Sequence, residues 1–371
     1  MATGIICEYN PFHNGHIYHL KKVRELINND VLVLILSGNY TQRGNLSIIE
    51  KYDKAKLALL YGVDLVIELP FNFATQASDI FAKGSIEIIN ELKCNKIIFG
   101  SESNNIDNLK ELANIQINNV EYNELVKQEL DKGINYPTAM SNALKKISNK
   151  TVSDANDLLA LSYIKEIIKN KYNIEPISIK RTNNYNSKEL TGGIDSATSI
   201  REAIKNNRDI SKSVPKEVKN YLINIDYNKL FHILKYKIIS DKNLSIYQDV
   251  DEGIDNKLKK EIINCNSLDQ FIKKIKSKRY TYNKITRMLV HILCSYEKEE
   301  NDTDLKYIRV LGFSDRGKKY LSEIKKNIKY PIITNINKKN EEIMKLEIRT
   351  DSIYYLIIDN YSNIFSSKPI Q

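Results

Sequence analysis

The sequence contains no segment that resembles a membrane-spanning helix or a secretory signal. The longest uninterrupted apolar run is Val31–Leu36, six residues long, whereas a membrane span needs about 20. The first ten residues include Glu8 and carry no Lys or Arg, unlike the basic start of a signal peptide. We therefore expect a cytoplasmic protein that does not bind a membrane.

Cysteine is also scarce. The four cysteines, at positions 7, 94, 265 and 294, lie far apart, and no two form a Cys-x-x-Cys pair. This spacing disfavours a disulfide framework and a zinc ribbon, so we interpret the cysteines as reduced thiols. Hydrophobic residues make up 42% and charged residues 27% of the 371 residues, which is an ordinary globular composition. The length predicts two or three domains.

The positive charge lies in one half of the chain. Residues 1–200 carry 22 Lys and Arg against 23 Asp and Glu, whereas residues 201–371 carry 34 against 23. A general bias toward lysine is the alternative explanation, but it would have raised both halves. The asymmetry predicts a polyanionic partner, such as a nucleic acid, for the C-terminal part.

Short apolar runs alternate with helical patterns over the first 200 residues. Strands are predicted at Gly4–Glu8, Val31–Leu36, Asp64–Leu69, Lys96–Phe99 and Pro176–Lys180. This alternation predicts an α/β domain over residues 1–205, in which helices cover both faces of a parallel sheet. Ligands of such sheets bind beyond the carboxyl ends of the strands.

Residues 206–371 have a different character and predict a second domain, basic and mainly helical. Between residues 205 and 300 the only Pro and Gly are Pro215 and Gly253. The last part is a small mixed segment. Its apolar runs at 307–311, 331–334 and 352–358 fit either short strands or buried helices.

Three of the five histidines lie between Asn10 and His19, where the first strand ends and the first helix begins. Gly15 lets the backbone approach a ligand closely, and the free N–H groups of a helix start suit phosphate. His13 and His16 are three residues apart, so both can donate hydrogen bonds to an α-phosphate as its charge grows. A packing role and a metal site are the alternatives, but no carboxylate or cysteine cluster completes a metal site.

His-x-Gly-His after a first strand is similar to the nucleotide-binding signature of the nucleotidyltransferase and class I synthetase superfamily. The resemblance implies a Rossmann-like nucleotidyltransferase domain. A second signature of that superfamily, Ile-Ser-Ser-Thr-x-Ile-Arg, resembles Asp195–Arg201, although Asp195 and Ala197 depart from it. Hydroxyls at a helix start and one arginine suit the β- and γ-phosphates, so the predicted phosphate-binding residues are Ser196, Thr198 and Arg201. A plain helix N-cap is the alternative.

Longer segments around these motifs narrow the choice of family. They are Gly4–His16, Ser37–Gly44, Asp64–Pro70, Ala74–Gln76, Ile98–Glu102, Asn156–Asp157, Ile179–Arg181, Lys278–Tyr280, Arg287 and Ile308–Gly312. In this order they resemble the bacterial tRNA(Met) cytidine acetate ligase family over nearly the whole chain. One departure is Ala155, where the family usually has a proline.

The resemblance implies that the protein activates acetate with ATP, giving acetyl-adenylate and pyrophosphate. It then passes the acetyl group to the exocyclic amine of the wobble cytidine in elongator tRNA(Met). Mg²⁺ is carried by the phosphates, no protein metal site is expected, and His13 and His16 are the expected catalytic residues. The residues implied to contact ATP are Ile6, Cys7, Glu8, Tyr9, Asn10, Pro11, Phe12, His13, Asn14, Gly15, His16, Ile17, Tyr18, His19, Gly100, Asn156 and Arg181.

The densest basic stretch, residues 273–287, is the predicted binding site for the polyanion. Its lysines can meet phosphates, and its two tyrosines can stack on unpaired anticodon-loop bases. A solvated helix face is the alternative. The predicted tRNA-binding residues are Lys273, Lys274, Lys276, Lys278, Arg279, Lys284 and Arg287.

Two other functions stay open at this point. A small-molecule cofactor adenylyltransferase would share the two phosphate signatures, but such enzymes are usually shorter and lack a basic helical domain. A non-catalytic RNA-binding protein on a nucleotide-binding scaffold would leave both signatures unexplained. The oligomeric state is not predicted.

Overall fold

A computed structural model describes residues 1–181, 190, 192–251, 253–360 and 367–371. The strands of this part are β1 (Ala2–Cys7), β2 (Val31–Ser37), β3 (Leu65–Leu69), β4 (Lys96–Ser101), β5 (Glu175–Lys180), β6 (Ile308–Phe313) and β7 (Ile332–Ile333). The α-helices are α1 (Asn14–Ile27), α2 (Lys51–Leu60), α3 (Phe71–Ala74), α4 (Ser78–Glu91), α5 (Ile106–Asn118), α6 (Val120–Asp131), α7 (Tyr136–Ser148), α8 (Ala155–Lys169), α9 (Ala197–Lys205), α10 (Tyr227–Ser240), α11 (Ile254–Ile262), α12 (Leu268–Ile275), α13 (Tyr282–Leu293), α14 (Asp315–Ile324) and α15 (Lys345–Ile357).

The seven strands of the described chain form one sheet in the order β5-β4-β1-β2-β3-β6-β7. The first five strands are parallel to one another. β2, in the middle of the sheet, is a continuous apolar run because helices cover both faces there, whereas β5 at the edge is only partly buried. All seven residues of β2 are buried. The predicted α/β class is confirmed, and so are the five predicted parallel strands.

The C-terminal segment extends this sheet, which the sequence did not indicate. β6 pairs antiparallel with β3, and β7 pairs parallel with β6. The runs at 307–311 and 331–334 are therefore strands, whereas the run at 352–358 belongs to helix α15. The division at residue 205 stays a prediction, while the sheet takes strands from both sides of it.

Among the described residues, three large apolar clusters and one small one hold the fold together. Two of the large clusters lie on opposite faces of the sheet. Successive residues of β2, such as Val33 and Leu34, belong to different clusters. The third cluster joins α10–α13 to α15 and to a loop of the first part that includes Tyr40 and Ile48. Within the described ranges, no helix is long and apolar enough to cross a membrane.

Candidate active site

A cleft of about 250 Å³ opens where β1, β4 and β5 end. This is the carboxyl edge of the parallel strands, as the sequence predicts. The predicted residues that line it are Ile6, Cys7, Glu8, Tyr9, Asn10, His13, Gly15, His16, Tyr18, His19, Gly100, Asn156, Arg181, Ser196 and Arg201. The structure therefore brings both phosphate signatures and the three isolated positions to one cavity.

Backbone hydrogen bonds fix the two central histidine rings. His13 is the N-cap of α1, and its Nδ1 accepts from the Gly15 N–H at 3.0 Å. His16 Nδ1 accepts from the His13 N–H at 3.2 Å. The rings stack with their centroids 3.7 Å apart. A nitrogen that accepts a hydrogen bond carries no proton, so each neutral ring carries its proton on Nε2. Both side chains therefore offer an N–H donor.

Gly15 is required by this arrangement. A Cβ at Gly15 would lie 2.8 Å from His13 Cε1 and 2.9 Å from His13 Nδ1. Any side chain there would displace the His13 ring from the helix start, because real Cβ atoms do not approach that closely.

Burial keeps the histidines of this loop neutral at physiological pH. It lowers the pKa of His13 to about 3, helped by the positive charges of Arg181 and Arg201. Burial also lowers the pKa of His16 well below its ordinary value, and the pKa of His19 to about 4. The rings are therefore hydrogen-bond donors and not cations. His19 Nε2 is buried and has no hydrogen-bond partner among the described residues.

Aromatic side chains behind the loop hold the His16 ring in place. The edge of the Tyr9 ring packs against His16 and Phe12, with centroids 4.6 and 4.8 Å away. The fully buried Phe12 ring in turn contacts Tyr61, at 5.1 Å between centroids. Phe12 thus supports the cleft from behind and does not line it.

Direct contacts join the two phosphate signatures. Asn14 Nδ2 donates to Lys212 O at 2.8 Å and to Gly193 O at 3.3 Å, which ties the start of α1 to the chain around α9. Arg201 donates to Asn10 O through Nη1 and to Thr198 Oγ1 through Nη2. The guanidinium therefore lies against the histidine loop, 191 residues away in sequence.

The basic stretch reaches the cleft through a loop after β2. Thr286 Oγ1 of α13 donates to Arg43 O, and Arg43 lines the cleft. Gly44 makes this contact possible: it has φ of 74°, and a Cβ there would lie 2.4 Å from Arg287 N. Helix α13 thus packs directly on one wall of the site.

The predicted tRNA-binding cations differ in exposure. Lys284 and Arg287 are half-buried: Lys284 Nζ lies 4.5 Å from the Tyr280 ring centroid, and Arg287 Nε lies 3.5 Å from Asp249 Oδ2. The exposed ones are Lys273, Lys274, Lys276, Lys278 and Arg279. In the part of the chain that the structure describes, no group of three or more His, Cys, Asp or Glu side chains could hold a metal ion.

Comparison with known proteins identifies the family of this chain. A family model described as HIGH Nucleotidyl Transferase matches residues 1–368. The tRNA(Met) cytidine acetate ligase of Clostridium novyi (strain NT) is 39% identical over 99% of this chain and 98% of its own length. The protein of that name from Caldicellulosiruptor saccharolyticus is also 39% identical, over 97% and 95%. The chain belongs to the tRNA(Met) cytidine acetate ligase family. The resemblance seen in the sequence motifs is thereby confirmed.

Solved structures of this family superpose on the whole chain. The crystal structure of Thermotoga maritima TmcAL in its apo form covers 100% of this chain and 99% of its own, with a TM-score of 0.91 and 29% identity. The crystal structure of the same protein bound with alpha-thio ATP has a TM-score of 0.89, at 29% identity and the same coverage.

Some of the predicted ATP-binding and phosphate-binding residues do not line the cleft. Besides Phe12, they are Pro11, Asn14, Ile17 and Thr198. Asn14 and Thr198 nevertheless hydrogen-bond to the segments that shape it. Their assignment to ATP or phosphate stays a prediction.

Sequence reasoning left out part of the cleft wall. Thr41 and Asn45 follow β2, and the rule that ligands bind at strand ends could have included them. The other omissions include the apolar side chains of Phe81, Phe99, Leu159 and Tyr163. Their helical or strand patterns indicate only core packing, so no signal distinguished them.

Proposed function

We propose that this protein is an ATP-dependent ligase that acetylates the wobble cytidine of elongator tRNA(Met). The observation that carries the proposal is the cleft in which two neutral histidine N–H donors, Arg201 and the start of α9 meet. The relatives named tRNA(Met) cytidine acetate ligase supply the reaction class. The alpha-thio ATP complex of a family member supports ATP as the nucleotide.

ATP spans the cleft from one wall to the other. Its base lies near Gly100, Asn156 and Arg181, and its phosphates lie against His13, His16 and the start of α9. Ser196 is the N-cap of α9, so the helix presents its free N–H groups there, and Arg201 adds a fixed charge. Mg²⁺ enters with the phosphates as part of the substrate.

In the first half-reaction an acetate oxygen attacks the α-phosphorus, and the bond from the α-phosphorus to the bridging oxygen of pyrophosphate breaks. Acetate is already an anion, so no general base is needed. The protein must bring two anions together and stabilise the charge that grows on the phosphate. The Nε2–H groups of His13 and His16 donate to the pentacovalent α-phosphate, which is where charge develops.

In the second half-reaction the cytidine amine attacks the acetyl carbonyl, and AMP leaves. His16 is the obvious base for the amine proton. Its lowered pKa and the proton already on Nε2 argue against that role. We therefore assign the proton to the departing phosphate or to water, and keep His16 as a donor in both steps.

Acetate itself gives little binding energy. Its four heavy atoms limit binding to about −6 kcal/mol, or a Kd of about 40 μM, at a ceiling of about −1.5 kcal/mol per atom. Larger acids must therefore be rejected by the size of the pocket. Formate lacks only a methyl group, which is worth about 1–3 kcal/mol.

The tRNA lies on the C-terminal part, in the proposed domain of residues 206–371, while residues 1–205 carry the chemistry. Contact of Thr286, in the basic stretch 273–287, with Arg43 of the cleft wall supports this arrangement. Tyr280 is buried and donates to Asp251 O at 2.6 Å, so it cannot stack on a base. Tyr282 is 47% exposed and is the tyrosine available for stacking. A tRNA substrate also places the enzyme in the cytoplasm.

One assay tests the proposal against its alternatives. The protein is incubated with ATP, labelled acetate and bulk tRNA, and the RNA is then digested to nucleosides. We expect label in N4-acetylcytidine. Pyrophosphate release that instead requires a phosphorylated small molecule would identify a cofactor adenylyltransferase. Absence of any turnover would favour a non-catalytic RNA-binding protein.

A further inference from the structure

Two acidic residues form a reciprocal clasp at the wall of the cleft where β4 ends and α8 begins. The Glu102 carboxylate accepts from Asn156 Nδ2 at 2.5 Å and from the Asp157 N–H at 3.1 Å. The Asp157 carboxylate accepts from the N–H groups of Glu102 and Ser103, each at 3.0 Å, and from the Ser101 hydroxyl. Each element thus holds the other through a carboxylate.

The clasp determines which way the Asn156 amide faces. A carboxylate can only accept, so Asn156 must turn its NH₂ group toward Glu102. The carbonyl oxygen Oδ1 then points away from Glu102, and Asn156 lines the cleft. Across the residues that the structure describes, no hydrogen bond reaches Oδ1. The wall therefore presents an acceptor to a ligand.

We infer that Glu102 sets the base specificity of the nucleotide site by holding the Asn156 carbonyl toward the cleft. Adenine offers an amine donor at position 6, whereas guanine and hypoxanthine offer an oxygen there. An acceptor on the wall pairs with the amine and repels the oxygen. Glu102 is thus a positioning residue, and Arg181, whose Nε lies 3.8 Å from Glu102 Oε1, shares the same carboxylate. The inference rests on the proposed function, since it takes this wall as the base site.

The Glu102→Gln variant reverses the pattern of donors. The Asp157 N–H is fixed in α8, so the new amide keeps its oxygen on that group and turns its NH₂ toward Asn156. Asn156 must then give its own carbonyl to Gln and present NH₂ to the cleft. A 6-oxo purine is then favoured over a 6-amino purine.

The test is calorimetric titration of the full-length protein with ATP and with inosine triphosphate, which carries oxygen at position 6. We expect the wild type to prefer ATP by at least about tenfold, the scale of one hydrogen bond gained or lost. In Glu102→Gln this ratio should fall by about tenfold or more. Asn156→Ala, which leaves the Asp157 half of the clasp intact, should bring the two affinities within a few fold of each other.

Glu111→Gln is the matched control. It removes the same charge from α5, where Glu111 pairs with Lys150 on the surface at 2.5 Å, and should leave the ratio unchanged. If Glu102→Gln binds ATP and inosine triphosphate more weakly by the same factor, the clasp has only a structural role and the inference is overturned. Equal affinity in the wild type would overturn it too, while acetylcytidine formation would keep the proposed function. A folded wild-type protein that binds neither nucleotide would overturn both the inference and the proposed function.

Discussion

At the scale of single residues, the site depends on uncharged histidines. The capping bonds of α1 occupy Nδ1 of His13 and His16, and burial keeps both rings neutral. A neutral donor gains strength as negative charge develops on the phosphate, and needs no proton transfer to do so. Sequence spacing indicated that the two side chains act together, but not which nitrogen each would present.

Replacing His16 by Ala should separate catalysis from RNA binding. We expect adenylate formation to fall by about 10²–10³, as for the loss of one donor to a developing oxyanion, while tRNA affinity stays within a few fold. Pyrophosphate exchange and a filter-binding assay measure the two effects. His232→Ala is the control for adenylation, because this exposed histidine lies on α10. Equal loss of both activities would mean that the loop has only a structural role.

The buried histidines should also make the fold sensitive to acid. The pKa of His19 is about 4 in the folded protein and about 6.5 when unfolded. The unfolded chain therefore binds a proton first, so stability is present above about pH 6.5 and is lost as the pH falls toward 4. Between pH 7.5 and 5 this histidine should cost about 1–2 kcal/mol.

Urea unfolding at the two pH values measures this loss. His19→Gln cannot bind that proton and should lose correspondingly less stability on acidification than the wild type. The exposed His232→Gln should behave like the wild type. An unchanged pH dependence in His19→Gln would show that His19 is not the source.

At the scale of elements, the contact between α13 and the loop after β2 joins the helical region to the site. Gly44→Ala should destabilise the fold by about 2 kcal/mol, because Ala disfavours a positive φ and its Cβ would strike the α13 backbone. Chemical denaturation gives the free energy of unfolding. We also expect weaker tRNA binding, since α13 carries part of the basic stretch.

Gly133→Ala separates the two causes of that effect. Gly133 has a similar φ of 77°, but a Cβ there would meet nothing within 4 Å. It should therefore lose less stability than Gly44→Ala and keep its tRNA affinity. Equal losses in the two variants would show that the contact with α13 contributes nothing.

At the scale of the whole molecule, a buried charge cluster joins distant parts of the chain. Lys51 of α2 lies 2.8 Å from Glu68 of β3 and 2.5 Å from Asp351 of α15. Arg309 of β6 completes the cluster at 3.3 Å from Glu68. Side chains in such a cluster are stable only when every charge keeps a partner. The cluster therefore holds α15 and β6 against the sheet.

Asp351→Ala should be among the most destabilising single changes, because it removes one of the two anions that neutralise the buried Lys51. The expected loss is about 3–5 kcal/mol, measured by thermal or chemical unfolding. Glu25→Ala breaks the exposed pair with Lys22 and should change stability little, because solvent screens that pair. Similar losses in the two variants would contradict a structural role for the cluster.

The charge asymmetry predicts how tRNA binding responds to salt. With about six phosphate contacts, log K should fall against log salt concentration with a slope of about −5 if the contacts are duplex-like. Lys276→Gln, an exposed change within the basic stretch, should make the slope less negative by about one. Affinity that does not depend on salt would reject this surface.

The sequence predicted strands where a short apolar pattern marks a buried segment. It did not predict which strands pair when the partners are far apart in the chain. The five parallel strands carry a local apolar pattern, most complete in β2, and each was located to within a few residues. β6 reads as a similar run, but nothing near Ile308–Phe313 indicates that it pairs with β3, more than 200 residues earlier.

The sequence by itself determined the parallel sheet, the histidine loop at the carboxyl edge and the positive charge of the C-terminal part. These features depend on side chains that are near one another in the chain, so a local pattern is enough to reveal them. Only the tertiary structure decided that α13 touches the cleft, that Glu102 fixes the Asn156 amide and that Lys51 meets Asp351. Those contacts join residues 54 to 300 positions apart, and folding alone brings them together.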